Sequence, residues 1–571
     1  MSYRAVQGIE LSRRQRRGVS WVGVSAPAQP SESPLPGWIK LWLVAVIVLR
    51  LGYHVTYFGE VPFPLAPLSD GALYETMALD ILAAPPWGTA PFYLQGVYAY
   101  QVALGYAITG QPTGALFVQL LLAAAAWGAL FRALQAIATR RVAAIVVAFG
   151  MSYPGFAFYA NKHLTASLAV VSFMLMLGAT AWMLRRRTWH GALALGLTTA
   201  LAILARSNAM LCVPFAAWAV VLAARHHRVG AGKWAAVFGL GLLLGLAPMA
   251  VRNQIVTGEA TIAPAHGGGT SFYIGNNAHA RGVWNDAGGL ISGDVSHERS
   301  ELARRLGVDE TDPAKRAKAI GRALYAKALR EIADAPGRWL WLEVRKGWLL
   351  VGNDELTQDY DHWGERELVG AAFHFGVPFS WVLALGAVAF VAARGRGRSL
   401  SDRVWLWVCL GETVAVLAAN FGFFTSSQHR LPLAVPLLAY AAWAWPEGAW
   451  REGTRRTRTT MAIVGALVVA QGWLPRAKDR EPSAVHYFNL ALAQKRVGEP
   501  RAAYRSLSKA VQMRPDQAVI RIERATVARE LGDFVTAKED IAILSARDDL
   551  PAWVQARYQF EVEFLATVPE P

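Results

Sequence analysis

The feature that most constrains this chain is a succession of long apolar runs separated by short basic clusters. Runs near 38–58, 113–131, 142–160, 164–184, 190–206, 209–224, 234–250, 370–393, 404–424, 431–446 and 460–474 each approach the ~20 residues that a helix needs to cross a bilayer. The composition agrees, since 54% of the 571 residues are hydrophobic and 17% are charged, against about 25% charged in soluble domains. In lipid, each segment must satisfy its own backbone hydrogen bonds. The expected fold is therefore all-α, a polytopic membrane protein of about eleven spans with large extracytoplasmic loops.

Basic clusters fix the expected path. They fall at 13–17 (RRQRR), 132–141, 185–190 (RRRTWH), 225–228 (RHHR), 394–398 (RGRGR) and 451–458 (REGTRRTR). With the N-terminus inside, every one is cytoplasmic, as the positive-inside bias requires. The stretch 97–109 is too short to span and reads as interfacial or re-entrant, because counting it would put the later clusters outside. Residues 1–37 read as a disordered basic cytoplasmic tail rather than a cleaved leader, whose apolar stretch would lie nearer the start. Segments 59–112 and 251–369 become the first and second extracytoplasmic loops of a membrane domain covering 38–475, and the chain after 474 is also outside. The expected location is the inner membrane of a bacterium. The net charge of +16 sits where loops meet anionic lipid, which argues against nucleic acid as a partner. The only two cysteines, Cys212 and Cys409, lie inside apolar runs, which speaks against a zinc site or a disulfide framework.

The C-terminal segment is charged and helix-rich. Gly498, Ala503, Ala510 and Pro515 carry the spacing of a tetratricopeptide repeat, with Tyr487 and Leu490 at packing positions of its first helix. Gly498 and Ala503 recur 34 residues later as Gly532 and Ala537, while Leu544 stands where alanine is usual. Residues 484–550 thus resemble the tetratricopeptide family, followed by a tail over 551–571. Two repeats are few for independent stability, so packing on the membrane domain, another chain or a partner is expected.

Ionisable residues at the expected outer ends of spans are few. Asp70 opens "SDGALYETMALDIL", with Leu73, Met77 and Ile81 at helical spacing. Ser69 or Asp70 would suit the N-terminus of that helix as a cap, and a functional carboxylate is the competing reading. Arg252 starts the second loop, and His429 and Arg430 lie in "FFTSSQHRLPLAVP". Lys162, His163 and Arg206 map to the same face. Any one of these cations could merely snorkel to the interface. Together, opposite one outer carboxylate, they suggest a site for an anionic, membrane-embedded ligand. Two soluble-enzyme readings fail: the glycines of 251–286 lack the Lys-Ser/Thr of a phosphate-binding loop, and "HGGG" has no G-x-S-x-G elbow to accompany it.

In order along the chain, "SDGALYETMA" with Tyr74, "PMAVRNQIVTG", "YIGNNAHARGVW" with Asn276 and Asn277, "PGRWLWLEVRKGWLLVGNDE" and "HRLPLAVP" resemble the GT-C glycosyltransferases. Within these, the chain resembles in particular bacterial relatives of the dolichyl-phosphate-mannose protein mannosyltransferases. The resemblance covers 38–475. It implies transfer of a sugar from a polyprenyl-phosphate-linked donor to a hydroxyl of a protein, glycan or lipid on the extracytoplasmic face, with Asp70 as base and inversion at the anomeric carbon. Arg252, Arg430, His429 and Arg206 become candidates for the donor phosphate. Tyr74, Glu75, Lys162, His163, Asn276 and Asn277 are further site candidates. Several family members carry an adjacent Asp-Glu pair, whereas this chain reads Ser69-Asp70-Gly71 with Glu75 five positions on. That departure disfavours a bound divalent metal, so no cofactor is expected, and it leaves Glu75 as a second candidate base. The repeats would recruit the acceptor. Two other classes compete. A flippase of lipid-linked sugars would need two-half symmetry that the chain lacks, and a non-catalytic assembly protein would hardly need so many spans.

Overall fold

The computed structural model describes residues 34–568, apart from 265–267, 288–289, 291–297, 357, 359, 394–397, 446–453, 477–482 and 548–549. The expected N-terminal tail lies almost wholly outside the described residues. The described chain is all helical. Helices α1 (Gly37–Glu60), α2 (Asp70–Ala83), α3 (Gly96–Thr109), α4 (Thr113–Leu134), α5 (Arg140–Met151), α6 (Pro154–Ala160), α7 (Ala166–Arg185), α8 (His190–Ala205), α9 (Cys212–His226) and α10 (Ala231–Thr257) form the first half. They are followed by α11 (Gly269–Asn276), α12 (Glu298–Leu306), α13 (Pro313–Asp334), α14 (Pro336–Leu350), α15 (His362–Val369), α16 (Phe379–Ala392), α17 (Leu400–Gly422), α18 (Ser427–Arg430), α19 (Ala434–Ala444) and α20 (Arg455–Gly472). The C-terminal unit contains α21 (Ala484–Arg496), α22 (Pro500–Met513), α23 (Ala518–Glu530), α24 (Phe534–Ser545) and α25 (Ala552–Ala566).

The expected count of eleven spans is not reproduced. Among the described residues six helices are long and apolar enough to cross a membrane, or seven if the bent pair α5–α6 is one span; α8 and α16 are shorter apolar helices. In the run 431–446 a 3-10 turn over Leu431–Leu433 precedes the eleven-residue α19, because Pro432 and the turn around Arg430 delay the start of the α-helix. The run 460–474 becomes α20, whose first turn carries Arg455, Arg456 and Arg458. The stretch 97–109 folds as the 14-residue α3, packed between α2 and α4.

Breaks in apolar helices free carbonyls that lipid cannot satisfy, and buried polar side chains answer them. Pro154 ends the α5 hydrogen-bond ladder, and α6 leaves at 61°. Arg50 of α1 reaches across to donate to the carbonyls of Met151 (3.1 Å), Ser152 (2.8 Å) and Phe373 (3.2 Å). At the far end of α6, the amide of Gln119 donates to the carbonyls of Ala160 (2.9 Å) and Lys162 (3.0 Å). Arg185 donates to the carbonyl of Arg132 (3.1 Å), which joins two of the basic clusters, and the His227 ring meets the carbonyl of Met183 (2.9 Å). The two long loops and the C-terminal unit meet one another at contacts described below.

In the C-terminal unit α21–α22 and α23–α24 are antiparallel hairpins. Gly498 and Gly532, 34 residues apart, both sit after a first helix with φ of 84° and 82°, a left-handed conformation that favours glycine. Ala503, Ala510, Ala537 and Leu544 are fully buried between the paired helices. The segment 551–571, expected as a tail, instead forms α25 over 552–566. It buries Val554 and Leu565 against the Ile541 and Leu544 face of α24, covering an apolar surface that a terminal hairpin would leave wet.

Candidate functional site

Asp70 is the first residue of α2, with Ser69 at the N-cap position. Ser69 has φ 50° and ψ −126°, and its side chain makes no capping hydrogen bond. A side chain held at such a φ costs about 1–3 kcal/mol and persists where the surroundings over-determine it. Here they do. A Cβ on Gly71 would lie 3.1 Å from the His163 Cβ, 3.1 Å from the Tyr360 hydroxyl and 3.3 Å from the Pro67 Cβ. The turn is therefore wedged against the 160–165 connection and the second loop. It leaves Asp70 half-buried in the first turn of α2, where the helix N-terminus favours negative charge.

Arg206 lies within electrostatic reach of this carboxylate. It ends α8 in an extended conformation, and a 3-10 turn over Ser207–Leu211 follows. Asn208 pins that turn by donating to the Ala415 carbonyl of α17 (2.7 Å). The guanidinium lies within electrostatic reach of Asp70, Tyr74 and Tyr159, and its Nε is buried without a hydrogen-bond partner. Tyr74, one turn after Asp70, donates to the Gln95 side chain (2.5 Å) and stacks edge-on against Tyr98. Burial pushes its phenol well up; the charge of Asp70 adds to the shift and Arg206 opposes it. His429 closes the cluster. Burial, and then the positive charge of Arg206, pull its imidazole down to about 3, so the ring is neutral at ordinary pH. Its Nδ1 lies 3.1 Å from the Phe424 carbonyl. A carbonyl only accepts, so Nδ1 carries the proton and Nε2 presents a lone pair.

The other expected cations are committed elsewhere. Arg252 donates to the carbonyls of Trp87 (2.8 Å) and Ala90 (2.6 Å) and to the Asn253 side chain (3.1 Å), with its guanidinium 3.5 Å from the centre of the Phe92 ring. Asp80 holds the same loop through Thr89 and the Ala90 amide. Arg430 donates to the carbonyls of Gly352 (2.8 Å) and Asp354 (2.9 Å) and pairs with Glu355 at 3.3 Å. Lys162 is wholly buried in an ion pair with Glu365 of α15 and also donates to Tyr57 (2.5 Å). The His163 ring contacts the Pro64 carbonyl at 3.3 Å. Glu75 accepts from Tyr106 and pairs with Arg496. Asn276 donates to the carbonyls of Phe272 and Gly422 (both 2.9 Å) and accepts from Trp339 (3.1 Å) and Lys346 (3.2 Å). Asn277 bonds Tyr273, Ile274, Asn285 and the His279 amide. These two asparagines tie α11 to α14, α17 and the loop that follows it. No group of three His, Cys, Asp or Glu side chains suited to a metal occurs among the described residues.

An apolar groove of about 480 Å³ lies between α3, α8, α10 and the 84–95 loop. Leu197, Leu201 and Leu204 line it from α8, Gly245, Pro248 and Met249 from α10, and Pro86, Trp87 and Tyr100 from the loop side. Arg206 follows Leu204 by two residues and Arg252 follows Met249 by three, so both lining helices carry an arginine just beyond the groove. The Tyr100 hydroxyl donates to the Pro86 carbonyl (2.8 Å), closing the wall that Arg252 and Asp80 hold in place.

No known family model matches the sequence, and no curated protein matches it. Among solved structures it is similar to the oligosaccharyltransferase AglB of Archaeoglobus fulgidus in complex with an inhibitory peptide and a dolichol-phosphate, at 16% identity and TM-score 0.38, over 94% of this chain and 61% of that one. It is also similar to ArnT of Cupriavidus metallidurans bound to undecaprenyl phosphate, at 12% identity and TM-score 0.37, over 93% and 88%. The chain spans about three fifths of the length of the archaeal enzyme.

Several residues around the site carried no sequence signal. Glu365 neutralises Lys162 and Tyr57 accepts a hydrogen bond from it, Gln95 accepts from Tyr74, and Arg496 reaches the site from the C-terminal unit. The partners of each pair lie between about 20 and 420 residues apart in sequence, beyond any local periodicity.

Proposed function

We propose that the chain is a membrane glycosyltransferase of the GT-C type. It would move a sugar from a polyprenyl-phosphate-linked donor to a hydroxyl acceptor on the extracytoplasmic face. The observation that carries this reading is the electrostatic proximity of Arg206 to Asp70, with Arg206 two residues beyond Leu204 of the groove lining. A polyprenyl chain suits a groove of leucines and aromatic rings, and its phosphate suits the guanidinium just beyond.

In the reaction, the acceptor oxygen bonds to the anomeric carbon while the bond from that carbon to the phosphate oxygen breaks. The electron pair leaves with the polyprenyl phosphate, and the acceptor proton passes to Asp70. Attack from the face opposite the leaving group inverts the anomeric centre. Arg206 stabilises the charge that develops on the phosphate. His429, neutral with its Nε2 lone pair free to accept, suits a hydroxyl rather than a phosphate oxygen. The displacement as written uses no cofactor. The acceptor class that fits a helical-repeat unit beside the site is a protein or secreted glycan.

Purified protein in lipid nanodiscs, given radiolabelled polyprenyl-phosphate sugar and a mixed acceptor fraction, tests the reading. Asp70→Asn is expected to lose transfer by about 10²–10⁴-fold, and unchanged transfer would remove Asp70 as the base. Leu201→Trp, which fills the groove, is expected to raise the KM for the lipid donor. Movement of the labelled lipid across the bilayer, with no transfer by the wild type, would establish the flippase reading instead. A C-terminal alkaline phosphatase fusion reads the sidedness; it should be active.

A further inference from the structure

The C-terminal unit is joined to the membrane domain along one helix, α21. Its apolar side buries Leu490 and Ala493 in the main hydrophobic core, in the cluster that also contains Leu68, Tyr360 and Val369. At its start, the Ser483 amide and hydroxyl donate to the Asp361 Oδ2 (3.1 and 2.8 Å). The other oxygen of Asp361 caps α15, the helix that carries Glu365. One turn on, Tyr487 donates to Glu367 (2.9 Å). At the far end, Arg496 grips α2. Its guanidinium donates to the Pro67 carbonyl (3.3 Å) and pairs with Glu75, a carboxylate that is 6% exposed.

Pro67 and Glu75 bracket Asp70, three residues before it and five after. Arg496 therefore holds the entry and the second turn of the helix on which Asp70 sits, and does so across the outlying Ser69. The Arg496 side chain remains 44% exposed. A repeat unit whose task was only to capture a distant acceptor would need no charged contact with this helix. We infer that Arg496 is a positioning residue for the transfer site, through which the C-terminal repeat unit sets the orientation of Asp70. This inference rests on the transferase reading for its consequence on activity, but not for the contact itself.

Two measurements test it on the full-length chain. In the transfer assay, Arg496→Ala is expected to lower kcat about tenfold while the KM for the lipid donor stays within about twofold. Arg496→Lys should keep much of the rate, and the exchange Arg496→Glu with Glu75→Arg should restore most of what either single change loses. An unaltered kcat in Arg496→Ala, or losses that simply add in the exchanged pair, would overturn the inference. The second measurement needs no activity: Asp70→Cys serves as a reporter, its thiol alkylated by a charged maleimide. The native Cys212 and Cys409 are buried and supply the background rate in the chain lacking the reporter. Adding Arg496→Ala should speed alkylation at position 70 at least fivefold, and an unchanged rate would sink the proposal. If the wild type transfers no sugar at all, the transferase reading fails while the alkylation result still decides the role of Arg496.

Discussion

The Lys162–Glu365 pair makes a quantitative prediction. Both side chains are 0% exposed. The ammonium also lies over the rings of Tyr57 (3.9 Å) and Phe158 (4.2 Å) and donates to the Tyr57 hydroxyl. Removing one member of a buried pair leaves the other charge uncompensated, at about 3–5 kcal/mol, whereas replacing both by apolar residues of similar volume is often neutral. Lys162→Met should therefore cost about 3–5 kcal/mol. Glu365→Gln should cost less, about 1–3 kcal/mol, because the amide oxygen and the aromatic faces still receive the ammonium. The double variant Lys162→Met/Glu365→Leu should return to within about 1 kcal/mol of the wild type. Equilibrium unfolding in mixed detergent with SDS, followed by tryptophan fluorescence, closes the cycle. If the double variant is as unstable as the two single losses summed, the pair has no coupling energy and the account of Lys162 as a compensated buried charge is refuted. Activity should follow stability here, because His163, next in sequence, supports the turn before Asp70.

Arg252→Ala should release the 84–90 loop, lowering the thermal midpoint by several degrees and raising the KM for the lipid donor. Arg206→Ala should leave the midpoint nearly unchanged and reduce kcat by about 10²-fold or more. Gly71→Ala presses a methyl into three contacts of 3.1–3.3 Å and should cost about 1–3 kcal/mol, with a loss of transfer larger than the loss of folded protein, read by comparing the two in one preparation. Acidification supplies a signed test. The folded-state pKa of His429, about 3, lies below its unfolded value, so its share of stability is complete above about pH 6.5 and is lost as the pH falls toward 3. Between pH 6.5 and 5 that share is about 2 kcal/mol, and His429→Gln should flatten this part of the pH–stability profile measured by the same unfolding assay.

Much of this organisation is legible in the sequence because it depends on local patterns. Apolar runs mark helices, and a glycine every 34 residues marks two hairpin turns. Asp70 at the head of α2 is legible for the same reason. The number of spans is less so, since hydropathy does not distinguish a 20-residue crossing from short apolar helices such as α8, α16 and α19, buried against their neighbours. The role of each cation is not legible at all. Arg252, Arg430 and Arg206 look alike as arginines at the ends of apolar runs, and they separate only when the carbonyls near them are known.

Those carbonyls explain the distribution. A membrane protein that bends its helices around a polar site must break backbone ladders in a medium without water, and each break exposes acceptors that need a donor. Arg50 answers the break before α6, Gln119 the one after it, Arg252 the loop over the groove, and Arg430 the turn after α14. A long cationic side chain suits this task, since one guanidinium satisfies several carbonyls at once. Abundant buried arginine is then a consequence of irregular architecture and marks the neighbourhood of a site without marking the site. Arg430 also has an unpartnered buried Nε, but its terminal nitrogens are taken by carbonyls; Arg206 is distinguished because it lies within electrostatic reach of Asp70. The same reasoning sets the expected outcome for the two arginines. Substitution of a carbonyl-binding arginine should register first as lost stability, and substitution of Arg206 as lost transfer in a protein that still folds.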